Sequence, residues 1–299
     1  MNCNDDGTLV VHQSDLNDFR QCPEQFRATR GIEPGGNFLG KDEQIRIEND
    51  AALIGTVCHS VFEQDLRDGT FTTAAQMKAW ARNTWHEHCK DFLRRGVEMR
   101  MESYGTHQKC LEVMNAVLDR WWKSTERAYW LMAMQDHGKL LSFEMPFEVP
   151  LMTRPEKRYQ KVNLAGIIDL LDSYEHRVVD YKTASRPYTR WEHQRWGIQE
   201  SAYTFAGASL GMLDPHDNGL YQFDFRIFVK GEQGEPQSMT VWRSHDQWAW
   251  MIQQAEHMIS AVESETTVWP LRDDGWWCSG KWCPIWKDCK GSLVTEEWT

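Results

Sequence analysis

Two acids, a lysine and three cysteines carry most of the chemistry legible in this sequence. The acids and the lysine fall in "AGIIDLLDSYEHRVVDYKTAS". If Ser173 to His176 form a turn, counting outward sets Leu171 opposite Val178 and Asp169 opposite Asp180. Directly opposed side chains have Cβ atoms about 5 Å apart, where like charges repel unless something lies between them. A divalent cation would resolve that repulsion. Side chains alternate along a strand, so Asp180 and Lys182 share one face while Val179 and Tyr181 take the other. The apolar "GII", "LL" and "RVV" around them predict burial. Buried carboxylates coordinate hard cations through oxygen, and a neighbouring ammonium can orient water or offset charge on a phosphoryl group. Together these groups suit metal-assisted phosphodiester hydrolysis. A lone D-x-K triplet is also what a surface hairpin with an ordinary ion pair looks like, because short motifs recur by chance.

Other candidates lie outside the hairpin. In "WGIQESAYTFAG", Gln199 and Tyr203 are four apart and therefore on one helix face. Arg186, Arg190 and Arg195 precede them, placed to meet phosphates. His59, in "GTVCHSVFE", sits on a mainly apolar stretch, where a histidine is more often a satisfied core residue than a ligand. Gly55, four residues earlier, leaves room on the same face for close approach by another backbone. Near the other end, "WWCSGKWCPIWKDCKG" places Cys278, Cys283 and Cys289 at C-x4-C-x5-C spacing. Soft metals and clusters usually want four thiolates, so one is missing from this stretch.

Such groups need a scaffold to position them. The chain has 299 residues, enough for one large domain or two small ones with a buried core, so its eight cysteines need not substitute for one. No basic stretch followed by an apolar run opens it, and no apolar segment approaches bilayer length, so a soluble intracellular protein is expected. There, clustered cysteines point to metal or redox chemistry, and scattered ones such as Cys89 and Cys110 to core filling. The net charge of −11 argues against coating nucleic acid by electrostatics alone, though not against a local basic groove. Sixteen tryptophans are more readily explained by core and interface packing than by base stacking.

Over residues 13–28, Ser14 as N-cap and the spacing of Leu16, Phe19 and Phe26 predict a short helix, a break at Cys22-Pro23 and a further turn. Leu53, Val57, Val61 and Phe62 predict a helix over 50–67. From about Thr72 to Met134 the pattern stays helical, with a break near Arg95-Gly96. Strands follow in "KLLSFEMPFEVP", "KVNLAGIIDLLDS" and "HRVVDYKTAS". A long helix is expected from Thr189 to Leu210, then strands "LYQFDFRIFVKG" and "QSMTVWRS" and an amphipathic helix over 245–264. The order implies a mixed α/β core carrying a helical insertion.

Taken in order, "CPEQF", "GTVCHSVFE" (a G-x-x-x-H helix), "GIIDLL" (an acidic strand), "VVDYKT" (a D-x-K strand), "QESAY" (a Q-x-x-x-Y helix) and the cysteine tail resemble the RecB-like branch of the PD-(D/E)XK nuclease superfamily. The likeness is to its iron–sulfur members, among them CRISPR-associated spacer-acquisition exonucleases, the AddB nuclease domain and phage-encoded relatives, and it runs from residue 14 to 289. It implies a restriction-endonuclease-like mixed central sheet flanked by helices, with an inserted helical subdomain and a C-terminal iron–sulfur region. Residues 1-50 would supply one cluster cysteine, 51-138 the helical subdomain with its G-x-x-x-H helix, 139-265 the nuclease core and 266-299 the cysteine-rich segment of one integrated domain.

The implied activity is that of a metal-dependent deoxyribonuclease, an exonuclease acting on DNA ends in recombination, repair, or phage or CRISPR DNA processing. By the resemblance His59, Asp169, Asp180 and the backbone carbonyl of Tyr181 would bind Mg2+ or Mn2+. Lys182 would position the attacking water or steady the transition state, and Gln199 and Tyr203 would order a water on the metal or the scissile phosphate. In those relatives one early cysteine joins three late ones around a 4Fe-4S cluster, which by position makes Cys22 the fourth ligand. Cys3 lacks the following proline and aromatic. Trp276, Trp277, Trp282 and Trp286 would form an apolar shell. Four thiolates also suit zinc, although structural zinc usually draws on two close-spaced cysteine pairs.

Two departures stand out: the first two late cysteines are more widely spaced than in relatives, and the segment after Gly55 is longer than a minimal core needs. The implied partners are DNA, as single strands or duplex ends, and a recombination or CRISPR protein, in the cytoplasm of a bacterium or phage-infected cell and with no membrane. Two rival readings remain. One is a catalytically inactive DNA-end or partner-binding module with a structural metal cluster, against which the complete acid and lysine set argues. The other is a zinc-stapled RNA-processing protein. Oligomeric state leaves no short motif.

Overall fold

The structure is a computed structural model. It describes residues 1–39, 47–231, 233–266, 269–272, 275, 277–280 and 282–290. In chain order its elements are β1 (Asn2–Cys3), β2 (Leu9–His12), α1 (Gln13–Gln21), α2 (Pro23–Arg30), β3 (Ile32–Glu33), β4 (Asn37–Phe38), β5 (Ile47–Asn49), α3 (Asp50–Asp68), α4 (Ala74–Arg95), β6 (Glu98–Arg100), α5 (His107–Lys123), α6 (Thr125–His137), β7 (Leu141–Thr153), β8 (Lys161–Asp172), β9 (Arg177–Ala184), α7 (Arg190–Trp196), α8 (Ile198–Ser209), β10 (Tyr221–Val229), β11 (Gln237–Arg243), α9 (His245–Glu263) and α10 (Trp286–Lys290). The chain divides into two compact units. Met1–Ile47, Glu148–Ala165 and Ala249–Thr299 form the first, and Glu48–Phe147 and Gly166–Trp248 the second. Strands β7 and β8 and helix α9 each pass from one unit into the other.

The second unit holds a mixed sheet. The latter part of β8 pairs antiparallel with β9, β9 parallel with β10, and β10 antiparallel with β11. Helices cover both faces. Leu170, Val179, Tyr181 and Phe228 project from one face into a core with Val57, Phe62, Trp121 and Trp130 of α3, α5 and α6. Helix α8 lies against β9 and β10, with Tyr203 tilted over Phe223 at 6.4 Å. Helix α3 starts where the Asn49 side chain accepts from the Ala52 N–H, and its Leu53, Val57, Val61 and Phe62 are all buried, as their spacing predicts. Asp65 on the same helix is buried but satisfied: Trp121 Nε1 donates to it at 2.8 Å and the Arg127 guanidinium forks onto it.

The first unit has a core of its own. Phe19 meets Phe26 and Trp269 edge-to-face at 5.7 and 6.2 Å. Buried Arg154 is held by Glu256 and Glu263 of α9. Strand β2 runs parallel to the opening of β8, with Leu9 opposite Val162 and His12 opposite Ala165. That strand was not expected from sequence, because "LVVH" is too short to show a period.

Two further expectations need correction. Helix α1 begins after His12 rather than at Ser14, since the Asp15 carboxylate accepts from the His12 N–H at 2.9 Å and closes a capping box. The single helix expected over 189–210 is two, α7 and α8, parted at Gly197, whose backbone is extended. A Cβ there would collide with the Glu200 carboxylate and the Arg243 guanidinium, which fill the space beside the break. The break at Cys22-Pro23 stands where sequence places it: Pro23 opens α2 at the position where its missing N–H costs nothing.

Candidate active site

Asp169, Asp180 and Lys182 lie in the second unit, where β8 and β9 part. The hairpin turns as counted, with Asp172 opposite Arg177, Leu171 opposite Val178 and Leu170 opposite Val179. One residue further on, the backbone ladder gives way to side chains, and the Tyr181 N–H donates to Asp169 Oδ2 at 3.0 Å. Asp169 and Asp180 therefore sit at a fork between strands. Gly55 of α3 faces this region, and a Cβ on it would stand 3.2 Å from the Thr183 hydroxyl, so the close approach foreseen there involves a side chain of β9.

Asp180 is fully buried. Its Oδ1 accepts from Lys182 Nζ and from Gln199 Nε2, each at 2.9 Å. Lys182 Nζ also stands 2.8 Å from Oδ2 as an ion pair, but without hydrogen-bond geometry, so Oδ2 has no hydrogen-bond partner. Burial pushes both Asp169 and Asp180 above the usual carboxylate range, and the Lys182 charge only partly offsets it. For Lys182 the balance is reversed. Burial alone would lower it, and the two carboxylates outweigh burial and keep the ammonium charged. The site thus contains acids short of positive charge, which a cation would supply.

His59 adds a neutral donor. Burial, with Lys182 behind it, pushes the imidazole down to about 4, so at neutral pH its ring nitrogens carry no charge. Nδ1 lies 3.4 Å from Asp169 Oδ2. Tyr203, one turn beyond Gln199, is pushed up to about 12 by burial and then by the two acids, so its hydroxyl keeps its proton. His59, Asp169, Asp180, Tyr181, Lys182, Gln199 and Tyr203 are thus brought together. Arg186, Arg190 and Arg195 are exposed on the segment leading to α8.

One acid was missed from sequence. Ligand atoms of His59, Glu144 and Asp169 all lie within 4.8 Å of one another, and among the described residues no other set of three such groups does. Glu144 sits on β7 with φ of 43°, a left-handed backbone that a non-glycine residue adopts only under constraint. Burial, then Asp169 and Glu63, push its carboxyl up to about 7. With His59, Glu63, Asp169 and Tyr181 it lines a small pocket. The available signal was "SFEMPFE", an acid in a half-buried strand two residues before a proline, where a regular ladder breaks.

A second constellation lies in the first unit. Cys22, Cys278, Cys283 and Cys289 line one small pocket together with Trp277 and Trp286. No cysteine of the chain is in a disulfide. Burial raises the thiols of Cys283 and Cys289, and the neighbouring sulfurs add to the effect. Cys3 lines a different cavity, with His12 and Arg158. Trp282 is 37% exposed, and Trp276 lies outside the described residues.

Compared with known proteins, the chain matches a family model described as the PD-(D/E)XK nuclease superfamily over residues 11–290. No curated protein matches it. A solved structure described as "Crystal structure of SSO0001" aligns over 96% of this chain and 94% of its own at 7% identity and a TM-score of 0.31. No helix among the described residues is long and apolar enough to cross a membrane.

Proposed function

The chain belongs to the PD-(D/E)XK nuclease superfamily, a family of metal-dependent nucleases, and from that premise we propose that it is a RecB-like, iron–sulfur deoxyribonuclease that digests DNA from its ends. The observation that carries the catalytic part is the buried Asp180, with one oxygen saturated and the other without a hydrogen-bond partner beside Asp169 and a neutral imidazole. A divalent cation held there, Mg2+ or Mn2+, would supply Lewis acidity and a nucleophile at neutral pH.

Asp169 and Asp180 are the proposed carboxylate ligands, with His59, the Tyr181 carbonyl and Glu144 completing the set. Gln199 occupies Oδ1 of Asp180 and so aims Oδ2. Lys182, held charged by both acids, orients the attacking water or offsets charge developing on the phosphate. Tyr203, with its proton retained, donates to the water or to the scissile phosphate. Hydrolysis through a directly activated water needs no covalent enzyme intermediate.

The four cysteines are the proposed ligands of a 4Fe-4S cluster. They share one cavity, yet no three of their sulfurs lie within 4.8 Å of one another. Four thiolates at about 2.3 Å from one zinc would crowd to about 3.8 Å apart. Three late cysteines at C-x4-C-x5-C spacing with one distant partner, rather than two close-spaced pairs, support a cluster that spreads its ligands over several irons. In this reading Cys278, Cys283 and Cys289 are fastened to the turn between α1 and α2, and the four segments named from sequence serve one nuclease.

The experiment is degradation of end-labelled linear DNA against covalently closed circular DNA, with Mn2+ or Mg2+, for the parent and for Lys182→Ala. Loss of linear DNA alone, dependent on metal and absent in the variant, is expected. Cleavage of closed circles at a comparable rate would overturn the end-directed reading.

A further inference from the structure

Between β9 and α8 the chain carries an aromatic that the cleavage chemistry does not use. Trp191 on α7 is 66% exposed, more than any other aromatic among the described residues. Tryptophan is a large apolar side chain, and one left in water on a well-anchored helix is a candidate contact.

Helix α7 is well anchored. Gln194 pairs with the backbone of Trp242 on β11 as a neighbouring strand would: its Nε2 donates to the carbonyl at 3.1 Å and its Oε1 accepts from the N–H at 3.2 Å. His193 hydrogen-bonds Glu200 at 2.7 Å and stacks on Tyr188, the rings 4.7 Å apart and 12° from parallel. Tyr188 is itself tied through both backbone groups to the Gln237 amide, at 2.8 and 3.0 Å. Its phenol, shifted first by burial, also feels Lys182 and Asp180. The inward face of the helix is therefore fixed.

Residues four apart share a helix face. Trp191 and Arg195 accordingly stand together, the guanidinium carbon 5.2 Å from the indole centroid. Arg186 and Arg190 are exposed on the same segment. Residues 186–195 hold three arginines against one glutamate, in a chain of net charge −11. That glutamate, Glu192, accepts from the Thr189 hydroxyl.

We propose that the outward face of α7 is a stacking platform for an unpaired base of the substrate strand, with Trp191 meeting the base and Arg186, Arg190 and Arg195 meeting flanking phosphates. The proposal rests on the nuclease reading above and narrows its substrate to ends that carry unpaired nucleotides. A local excess of arginine around an exposed indole is complementary to a strand that presents phosphates and ring faces together. An internal paired base keeps both faces inside the duplex stack, and the last pair of a blunt end offers one face only, held square to the duplex axis, so the platform favours unpaired nucleotides over blunt ends. Every base has a ring face, so little sequence preference follows.

Chelated protein, which cannot cut, is titrated by fluorescence anisotropy against a labelled oligothymidylate and a blunt duplex of equal length, at one salt concentration. Trp191→Ala is expected to weaken oligothymidylate binding about tenfold, Trp191→Phe to stay within about threefold of the parent, and duplex affinity to remain unchanged. Thermal melting checks that both variants fold. The platform is wrong if Trp191→Ala binds like the parent, if phenylalanine loses as much as alanine, or if duplex affinity falls in step. Cleavage of linear DNA by the parent with Mn2+ is measured alongside. Cleavage together with an unaffected Trp191→Ala sinks the platform and leaves the nuclease standing, whereas a parent that neither cuts nor binds sinks both.

Discussion

The amide of Gln199 decides which oxygen of Asp180 is left for a cation. With Oδ1 accepting from Gln199 and Lys182, Oδ2 keeps only the Lys182 ion pair and is the oxygen with capacity left for a cation. Gln199→Ala frees Oδ1 to compete, and activity at limiting Mn2+ is expected to fall about 10–100-fold, with partial recovery at high metal, as a titration of rate against Mn2+ would show. Asp180→Asn keeps the shape and removes the charge. It is expected to abolish turnover while a circular dichroism melt stays close to the parent's, and a variant that cut as fast as the parent would refute the assignment. Glu144→Gln is expected to weaken Mn2+ binding about tenfold in calorimetry, within the range by which a supporting ligand contributes. Asp169, Asp180 and Lys182 were legible because strand alternation and hairpin counting are local rules. Glu144 was not, because it enters the site through a left-handed backbone on β7 that no local rule in "SFEMPFE" requires.

At the scale of elements, sequence anticipated most helices and strands where periodicity runs long, as in α3, α4, β9 and β10. It went astray where a single residue carries the outcome. Gly197 sits inside a pattern that reads as one helix, and only the packed Glu200 and Arg243 show why the residue at the break has no side chain. Gly197→Ala is expected to destabilise the protein by about 1–3 kcal/mol, the usual cost of forcing atoms into filled space. For a protein of this size that is about 2–4 °C in Tm per kcal/mol, read by differential scanning calorimetry. An unchanged Tm would show that Glu200 and Arg243 can move aside. Strand β2 was unreadable for the opposite reason: four residues suffice for a strand whose partner, the opening of β8, lies far away in sequence.

At the scale of the whole molecule, motif order was a good guide to family. Cys22 and the late cysteines share a cavity despite more than 250 intervening positions, and sequence linked them only through resemblance. Cys22→Ser is expected to lose most of the iron and acid-labile sulfide of anaerobically purified protein, while Cys3→Ser keeps both. Equal retention in the two variants would exclude Cys22 as a ligand. The first unit is assembled from the beginning, middle and end of the chain, whereas the second is complete at Trp248. A ribosome adding about 5–20 residues per second therefore releases the second unit, and with it the strand that pairs with β2, before the last segment of the first unit is made. For those seconds Phe19, Phe26 and the thiol of Cys22 lack Trp269 and the late cysteines that meet them in the finished chain, so the first helices stay partly uncovered until the last segment is made.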